Sequence, residues 1–247
     1  MKSKNIKIVA IIQARMGATR LRGKVLSDLA GQTMLARVVN RSRRAKGLDA
    51  VMIATTTQPA DDAIVHLCHE RGWFFFRGSE EDVLDRYYRA ALTYGADVVV
   101  RVTSDCPLIE PELIDSLVTT FLLHRPPLAY LSNTLVRTFP RGLDVEVMSF
   151  NALKRAWQED DNPAWREHVT PYIWRQPDKF KICNVTNDKD YSYMRWTVDT
   201  AEDLAFVRKV YGHFKNDTFS WREVLELLKE HPKWLEINRD VQYKMVP

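Results

Sequence analysis

Residues 14–24 read Ala14-Arg15-Met16-Gly17-Ala18-Thr19-Arg20-Leu21-Arg22-Gly23-Lys24, four cations and two glycines in one short stretch. Glycine lets backbone N–H groups approach an anion closely, and Arg and Lys side chains grip phosphate oxygens, so the chemistry on offer is phosphate binding. Four cations crowded behind an apolar run repel one another unless an anion visits, which disfavours a plain surface turn. The stretch has neither the Gly-Lys-Ser/Thr ending of the ATPase loop nor the three-glycine dinucleotide fingerprint. Two further apolar runs end in carboxylates: Asp105 in Arg101-Val102-Thr103-Ser104-Asp105-Cys106-Pro107-Leu108, and Asp199 in Arg195-Trp196-Thr197-Val198-Asp199-Thr200. Taken singly, Asp105 reads as a turn former or helix cap and Asp199 as a cap with Glu202 or Asp203 in support. Taken with the polycationic loop, the pair suits a Mg²⁺ ion, which favours one or two protein carboxylates plus substrate phosphates.

Those residues are positioned by strands and helices that alternate along the chain. Buried strands are expected at Ile6 to Gln13, Ala50 to Thr56, Trp73 to Phe76 and Asp97 to Val102. Helices are expected at Thr33 to Ala45, Asp61 to Arg71, Glu80 to Tyr94 and, from Pro111, Glu112 to Leu123. This alternation demands right-handed crossovers and a mainly parallel sheet with helices on both faces, so ligands belong beyond the carboxyl ends of the strands. After Arg125-Pro126-Pro127 the pattern loosens. Strands are expected at Leu128 to Ser132, Leu143 to Met148, Phe180 to Val185 and Met194 to Val198, and helices at Asn151 to Gln158, Pro163 to Arg175, Ala201 to Tyr211 and Trp221 to Glu230. The 247 residues are expected to form a single domain. About 1–125 would be its nucleotide-binding half, about 126–195 its acceptor-binding and dimer-contact segment, and about 196–247 its closing strand and C-terminal helices.

Composition sets the bounds. With 45% apolar residues the chain is neither disordered nor collagenous, and at this length it buries roughly 70 to 75% of its unfolded surface without staples. The net charge of +4 hides an asymmetry, because residues 1–50 carry 12 basic and 2 acidic side chains. Arg41, Arg43, Arg44 and Lys46 within that stretch are expected to form a solvated helix face. Cys68, Cys106 and Cys183 are odd in number and fit no disulfide or zinc spacing, which favours a reducing cytoplasm. The apolar run after Met1 to Asn5 is too short for a signal segment or a membrane span, and no membrane partner is expected. The aromatic residues do not track a basic groove, so no nucleic-acid partner is expected either.

The motifs resemble those of the spore-coat polysaccharide cytidylyltransferase family. They are the basic loop, Asp105-Cys106-Pro107-Leu108-Ile109, Gly142-Leu143-Asp144-Val145-Glu146, Glu167-His168-Val169-Thr170 and Arg195 to Thr200. More broadly they are similar to the CMP-sialic-acid and CMP-Kdo synthetases, in order from about residue 6 to about 210. Arg22, Ala18 and Ser104 stand where the family usually has Pro, Ser and Gly. The resemblance implies an α/β, Rossmann-like nucleotide-diphospho-sugar transferase fold. It also implies a Mg²⁺-dependent reaction of CTP with an acidic sugar or related acceptor, giving a CMP-linked product and pyrophosphate, and a homodimer.

The same resemblance implies that Arg15 and Lys24 hold the triphosphate, with Arg20, Ala14 and Gly17 in the same loop, and that Asp105 and Asp199 hold the metal. It implies that Asp82 and Thr103 lie near the base. Asn133, Asp144, Glu146 and His168 can hydrogen-bond acceptor hydroxyls, and Arg195 can pair with an acceptor carboxylate. His168 reads equally as an interior histidine beside Trp165 and Tyr172. Trp165, Tyr172 and Trp174 cannot share one narrow stripe of a continuous helix, so at least one is expected to face outward at a dimer contact. Asp188-Lys189-Asp190 resembles the Asp-x-Asp of metal-dependent glycosyltransferases. A nucleotide-sugar glycosyltransferase using Asp188 and Asp190 is therefore the alternative enzyme, and the departures at Ser104 and Arg22 leave a non-catalytic nucleotide-binding scaffold as the other reading.

Overall fold

A computed structural model describes residues 6–242; the opening Met1 to Asn5 lies outside them. Seven strands form one sheet in the order β3-β2-β1-β4-β6-β5-β7. β1 (Ile8–Gln13), β2 (Ala50–Thr56), β3 (Phe74–Gly78) and β4 (Val98–Thr103) are parallel. β1 pairs with both β2 and β4, as apolar strands buried on both faces do. β6 (Glu146–Ser149) runs antiparallel to β4 and to β5 (Tyr130–Ser132), and β7 (Ile182–Asn184) joins β5 in parallel. The expected strands are thus found, several of them shorter, except at residues 194–198. There the backbone makes one isolated bridge, between Arg141 and Arg195, and lies against loops rather than a sheet edge. Trp196 N–H donates to Arg141 C=O at 2.7 Å and Val198 N–H to Asp105 C=O at 2.8 Å. Gly142, at φ 106°, admits this approach, since a Cβ there would sit 2.6 Å from the Thr197 nitrogen.

Helices cover both faces, as the alternation requires. One face carries α1 (Met34–Ser42), α2 (Asp62–Arg71), α4 (Pro111–Leu123), α8 (Ala201–Phe214) and α9 (Trp221–Glu230). The other carries α3 (Val83–Thr93), α5 (Phe150–Glu159), α6 (Pro163–His168) and α7 (Pro171–Trp174). The two largest apolar clusters lie on these faces, one around Leu35, Ile114 and Val207, the other around Tyr87, Leu153 and Ile173. Side-chain caps start the helices where the sequence places them: Thr33 for α1, Ser149 for α5, and reciprocal capping boxes Thr200–Asp203 for α8 and Ser220–Glu223 for α9.

Two expectations change. Arg41 does not lie on a solvated face. Its side chain is fully buried and donates to the carbonyls of Ile109, Asp217 and Phe219, clamping α1 to the start of α4 and to the α8–α9 turn. The expected helix at residues 163–175 is two helices, broken where Val169 adopts φ 71°. Trp165 and Tyr172 therefore meet edge to face at 6.5 Å across the break, and Arg175 covers both Trp165 and Trp174. The single-helix geometry that sent an aromatic outward does not exist.

Candidate active site

The carboxyl ends of β1 and β4 open into a cleft of about 450 Å³, at the position where parallel-sheet enzymes bind ligands. The basic loop that leaves β1 forms one wall. Its shape is fixed at Met16, whose N–H donates to the buried carboxylate of Asp61 at 2.6 Å and whose carbonyl accepts from Ala18 and Gly23. Gly23, left-handed at φ 67°, turns the chain into a short 3-10 turn at Lys24–Leu26. Ala14, Arg15, Ala18, Arg20 and Lys24 all line the cleft, whereas Gly17 lies outside the lining and exposed.

Asp105 and Asp199 converge, and the third member of the group is Lys24. Its ammonium donates to Asp105 Oδ2 at 3.2 Å, Asp199 Oδ1 at 2.8 Å and the Val198 carbonyl at 2.7 Å, which uses all three of its protons. Lys24 is 8% exposed. In this arrangement Lys24 ties the two carboxylates together at the edge of the cleft that it lines. Burial alone would pull the ammonium's pKa down, but the two aspartates outweigh it and hold it above its ordinary value. Asp105 is the mirror case: burial would raise its pKa, and Lys24, with the Thr103 hydroxyl, holds it below the ordinary carboxylate value.

Asp199 Oδ2 also accepts from Arg20 at 2.9 Å and from Arg195 at 2.8 Å, and Arg195 forks onto Asp203. Three cations face three carboxylates here. Neither aspartate is a helix cap, because Glu110 caps α4 and Thr200 caps α8, so local backbone needs do not explain them. Arg195 is buried and committed to these acids; an acceptor carboxylate would have to compete with Asp199 and Asp203 for it.

A second chamber of about 340 Å³ adjoins the first and shares Thr103, Arg137, Asp144 and His168 with it. Arg137 binds Asp144 through both guanidinium nitrogens. Arg101 binds Glu146, which also accepts from Tyr130 Oη at 2.6 Å and Thr170 Oγ1 at 2.8 Å. Burial would raise the Glu146 pKa, but Arg101 outweighs it and keeps the carboxylate ionised. The His168 ring makes no hydrogen bond among the described residues. Burial first, and Arg101 second, lower its pKa, while Glu167 and Glu146 partly oppose them, so it is neutral at pH 7.

Four residues singled out in the sequence lie elsewhere or do other work. Asp82 caps α3, accepting from Asp85 N–H at 2.9 Å, and gives its other oxygen to Arg166 at 2.7 Å; it lines neither chamber. Val83 and Arg86, from the same segment, line the cleft instead. Asn133 is fully buried, its amide ties Leu143 C=O and Val145 N–H, and it lines neither chamber. Asp188 and Asp190 sit exposed in a turn, Asp190 accepting from Ser192 N–H, and line neither chamber. Sequence reasoning missed Arg86, Arg101, Arg137 and Arg141. The signal available for Arg101, Arg137 and Arg141 was an arginine on a strand or in a loop, Arg86 sits in the first turns of α3, and their clustering needed the fold.

The sequence and its fold resemble those of known proteins. A model of the family described as cytidylyltransferase matches residues 9–241. The chain is 33% identical over 235 residues to the spore coat polysaccharide biosynthesis protein SpsF of Bacillus subtilis, covering 91% of this chain and 95% of that one. It is 45% identical over 116 residues to a 3-deoxy-manno-octulosonate cytidylyltransferase of an Anaeromyxobacter species, a match limited to 45% of this chain and 46% of that one. Among solved structures, a cytidylyltransferase of Leptospira borgpetersenii superposes with a TM-score of 0.90 at 34% identity, covering 97% of this chain and 100% of that one. With its Rossmann-like nucleotide-sugar transferase fold, the chain is a nucleotidyltransferase and belongs to the cytidylyltransferase family.

Proposed function

We propose that the cleft holds CTP and that the second chamber holds the acceptor, an alcohol of the sugar class. An acceptor oxygen attacks the α-phosphorus, an O–P bond forms, the bond to the β-phosphate oxygen breaks, and pyrophosphate leaves. The observation that carries this reading is the charge of the cleft: seven cationic side chains line it against four carboxylates, an excess suited to a triphosphate. Arg15 is the best placed to meet phosphate oxygens. It is part exposed and has only loose contacts, at 3.9 Å, with Glu80 and Glu167. No nucleophilic side chain is needed. The Cys106 thiol is buried, which with Asp105 nearby pushes its pKa well above 9.0 and keeps it unreactive. His168, neutral and open to both chambers, accepts the acceptor's proton.

Among the described residues no three His, Cys, Asp or Glu side chains converge on a metal site, so an all-protein site is not what this cleft offers. The donor set does fit Mg²⁺ arriving with the nucleotide, which asks for one or two carboxylates beside phosphate oxygens. Asp105 and Asp199 would hold it, and its charge would offset that of the reacting phosphates. The local balance of three cations and three carboxylates favours entry of metal and triphosphate together over metal alone.

By analogy with the named role of its relative, the product would serve surface polysaccharide or glycoconjugate synthesis. Use of CTP and three free cysteines suit the cytoplasm; no helix among the described residues is long and apolar enough to cross a membrane. A homodimer rests on the family resemblance. Light scattering tests it, a mass near 28.8 kDa with and without nucleotide overturning it. The reaction is tested by incubating the protein with Mg²⁺, a sugar panel and each nucleoside triphosphate in turn. Pyrophosphate release with CTP alone is expected. Binding without turnover, or hydrolysis of nucleotide sugars, overturns the reading.

A further inference from the structure

The segment that brings Arg195 and Asp199 to the cleft has no sheet ladder to hold it. Its backbone makes one isolated bridge, at Arg195, so contacts from elsewhere must fix it. One of these comes from well beyond the motifs that point to the site. Around a 3-10 turn at Pro232–Glu236, Trp234, Leu235 and Ile237 pack against the apolar cluster that includes Val207 and Val210 of α8. Trp234 is stacked on His231 at 4.5 Å and covered by the Lys209 ammonium at 5.3 Å. Asn238 follows and is 4% exposed. Its side-chain amide donates to the Arg195 carbonyl and to Asp203 Oδ1, both at 2.9 Å, which uses both of its protons. Both partners are acceptors, and this fixes the way the amide faces. Asp203, fully buried, accepts from Arg195 through both oxygens and from the N–H groups of Asp199 and Thr200. The Arg195 Nη2 that reaches Asp203 also reaches Asp199 Oδ2, at 2.8 Å. A planar guanidinium cannot turn toward one acid without turning from the other, so the seat of Asp203 sets that of Asp199.

We infer that Asn238, which lines neither chamber, is a positioning residue for the cleft. It fastens the Arg195 backbone and Asp203 from outside the cleft, and through the shared guanidinium it fixes where Asp199 stands. That Asp199 in turn serves Mg²⁺ and the nucleotide rests on the function proposed above. A neutral amide suits the place: an aspartate would set its carboxylate against Asp203, and an apolar side chain would leave a buried carbonyl unpaired. The same stretch touches the basic loop, because Arg20, which pairs with Asp199 at 2.9 Å, also donates to Gln242 C=O at 3.4 Å. Residues 238–242 thus meet both the loop that follows β1 and the acid opposite it.

Two variants of the full chain remove the donors: Asn238→Ala, and Asn238→Leu, which nearly keeps the volume and guards against loss of the fold. Crystal structures of both read the position directly, and Arg195 and Asp199 are expected to move out of contact with each other. Calorimetry of CTP binding, with Mg²⁺ and with EDTA, reads the consequence. In both variants affinity with Mg²⁺ is expected to fall about three- to tenfold, the scale of one hydrogen bond, while affinity in EDTA hardly changes. Added to Asp199→Asn, Asn238→Ala is expected to cost little more, since both act through one carboxylate. Arg195 and Asp199 unmoved in both crystals overturns the inference, as does unaltered affinity in variants where Asp199→Asn loses it. Affinity restored by leucine, or equal weakening with and without metal, marks a packing role and overturns it too. If Asp199→Asn alone leaves affinity with Mg²⁺ intact, the metal reading of Asp199 falls, and the crystal positions decide the role of Asn238 by themselves.

Discussion

The nucleotide cleft and the chamber beside it are built from the same residue types with opposite arithmetic. In the cleft, cations outnumber carboxylates seven to four, and two of the acids, Asp105 and Asp199, converge on Lys24, Arg20 and Arg195. In the chamber the numbers are equal and every pair is closed within the wall. An excess of positive charge in a cleft attracts and steers a polyanion, whereas a balanced wall gives direction and selectivity without long-range pull. The contrast shows why counting basic residues in a site says little: Arg15 and Arg137 lie a few loops apart, and only the first is left for a ligand.

The largest effect is expected at the point where the cleft depends on a single residue. Lys24→Ala leaves Asp105 and Asp199 facing each other without their tie, which costs about 3 kcal/mol of stability by analogy with other broken buried pairs and abolishes turnover. A denaturant midpoint equal to that of the unaltered protein would break the picture of Lys24 as a tie. The same tie sets a pH window. Because Lys24 titrates above 10.5, its contribution is complete below that pH and fades as pH rises through the raised value. Because Asp105 titrates below 3.8, its contribution is complete above that pH and fades as pH falls through the lowered value.

Asp105→Asn keeps the shape and removes one charge, so the fold should survive while turnover falls by about 10²-fold, the scale of one strong transition-state contact. Unchanged rates at limiting Mg²⁺ would exclude Asp105 from the metal. Arg15→Ala should weaken CTP and pyrophosphate by about tenfold and CMP hardly at all, measured by calorimetry, because the side chain is assigned to the outer phosphates. Equal losses for CTP and CMP would place Arg15 at the nucleoside or in the fold.

The smallest and most specific effect belongs to the wall between the two regions. His168 titrates below 6.5 because it is buried and lies near Arg101, with Glu167 and Glu146 opposing. It is then neutral and able to take a proton at pH 7. The rate should hold steady down to pH 6.5 and decline only as pH drops further. His168→Gln should lower the rate about tenfold or more and flatten that acid limb. A limb that persists in the variant would assign the titration to another group.

Much of the first half could be read from the chain itself. Apolar strands separated by capped helices define a parallel sheet whose loop ends must meet, and a basic loop behind the first strand can serve little but an anion. The convergence of Asp105 and Asp199 was legible for the same reason, since each closes an apolar run. The partners of those residues were not legible, because pairing is decided by which loops the sheet brings together. Lys24 read from its neighbours in sequence as one more cation of the basic loop, and its pairing with two carboxylates 81 and 175 residues away was visible only in the fold. Arg41 looked solvated by its basic neighbours, and is buried because α1 turns it toward three carbonyls that no local pattern announces. Residues 163–175 satisfied a helical period, yet the backbone at Val169 breaks the helix and sets His168 at the junction of the two chambers. Periodicity and capping act over a few residues and are written in the sequence; ion pairing and the shape of a pocket act across the sheet, and only the tertiary structure decides them.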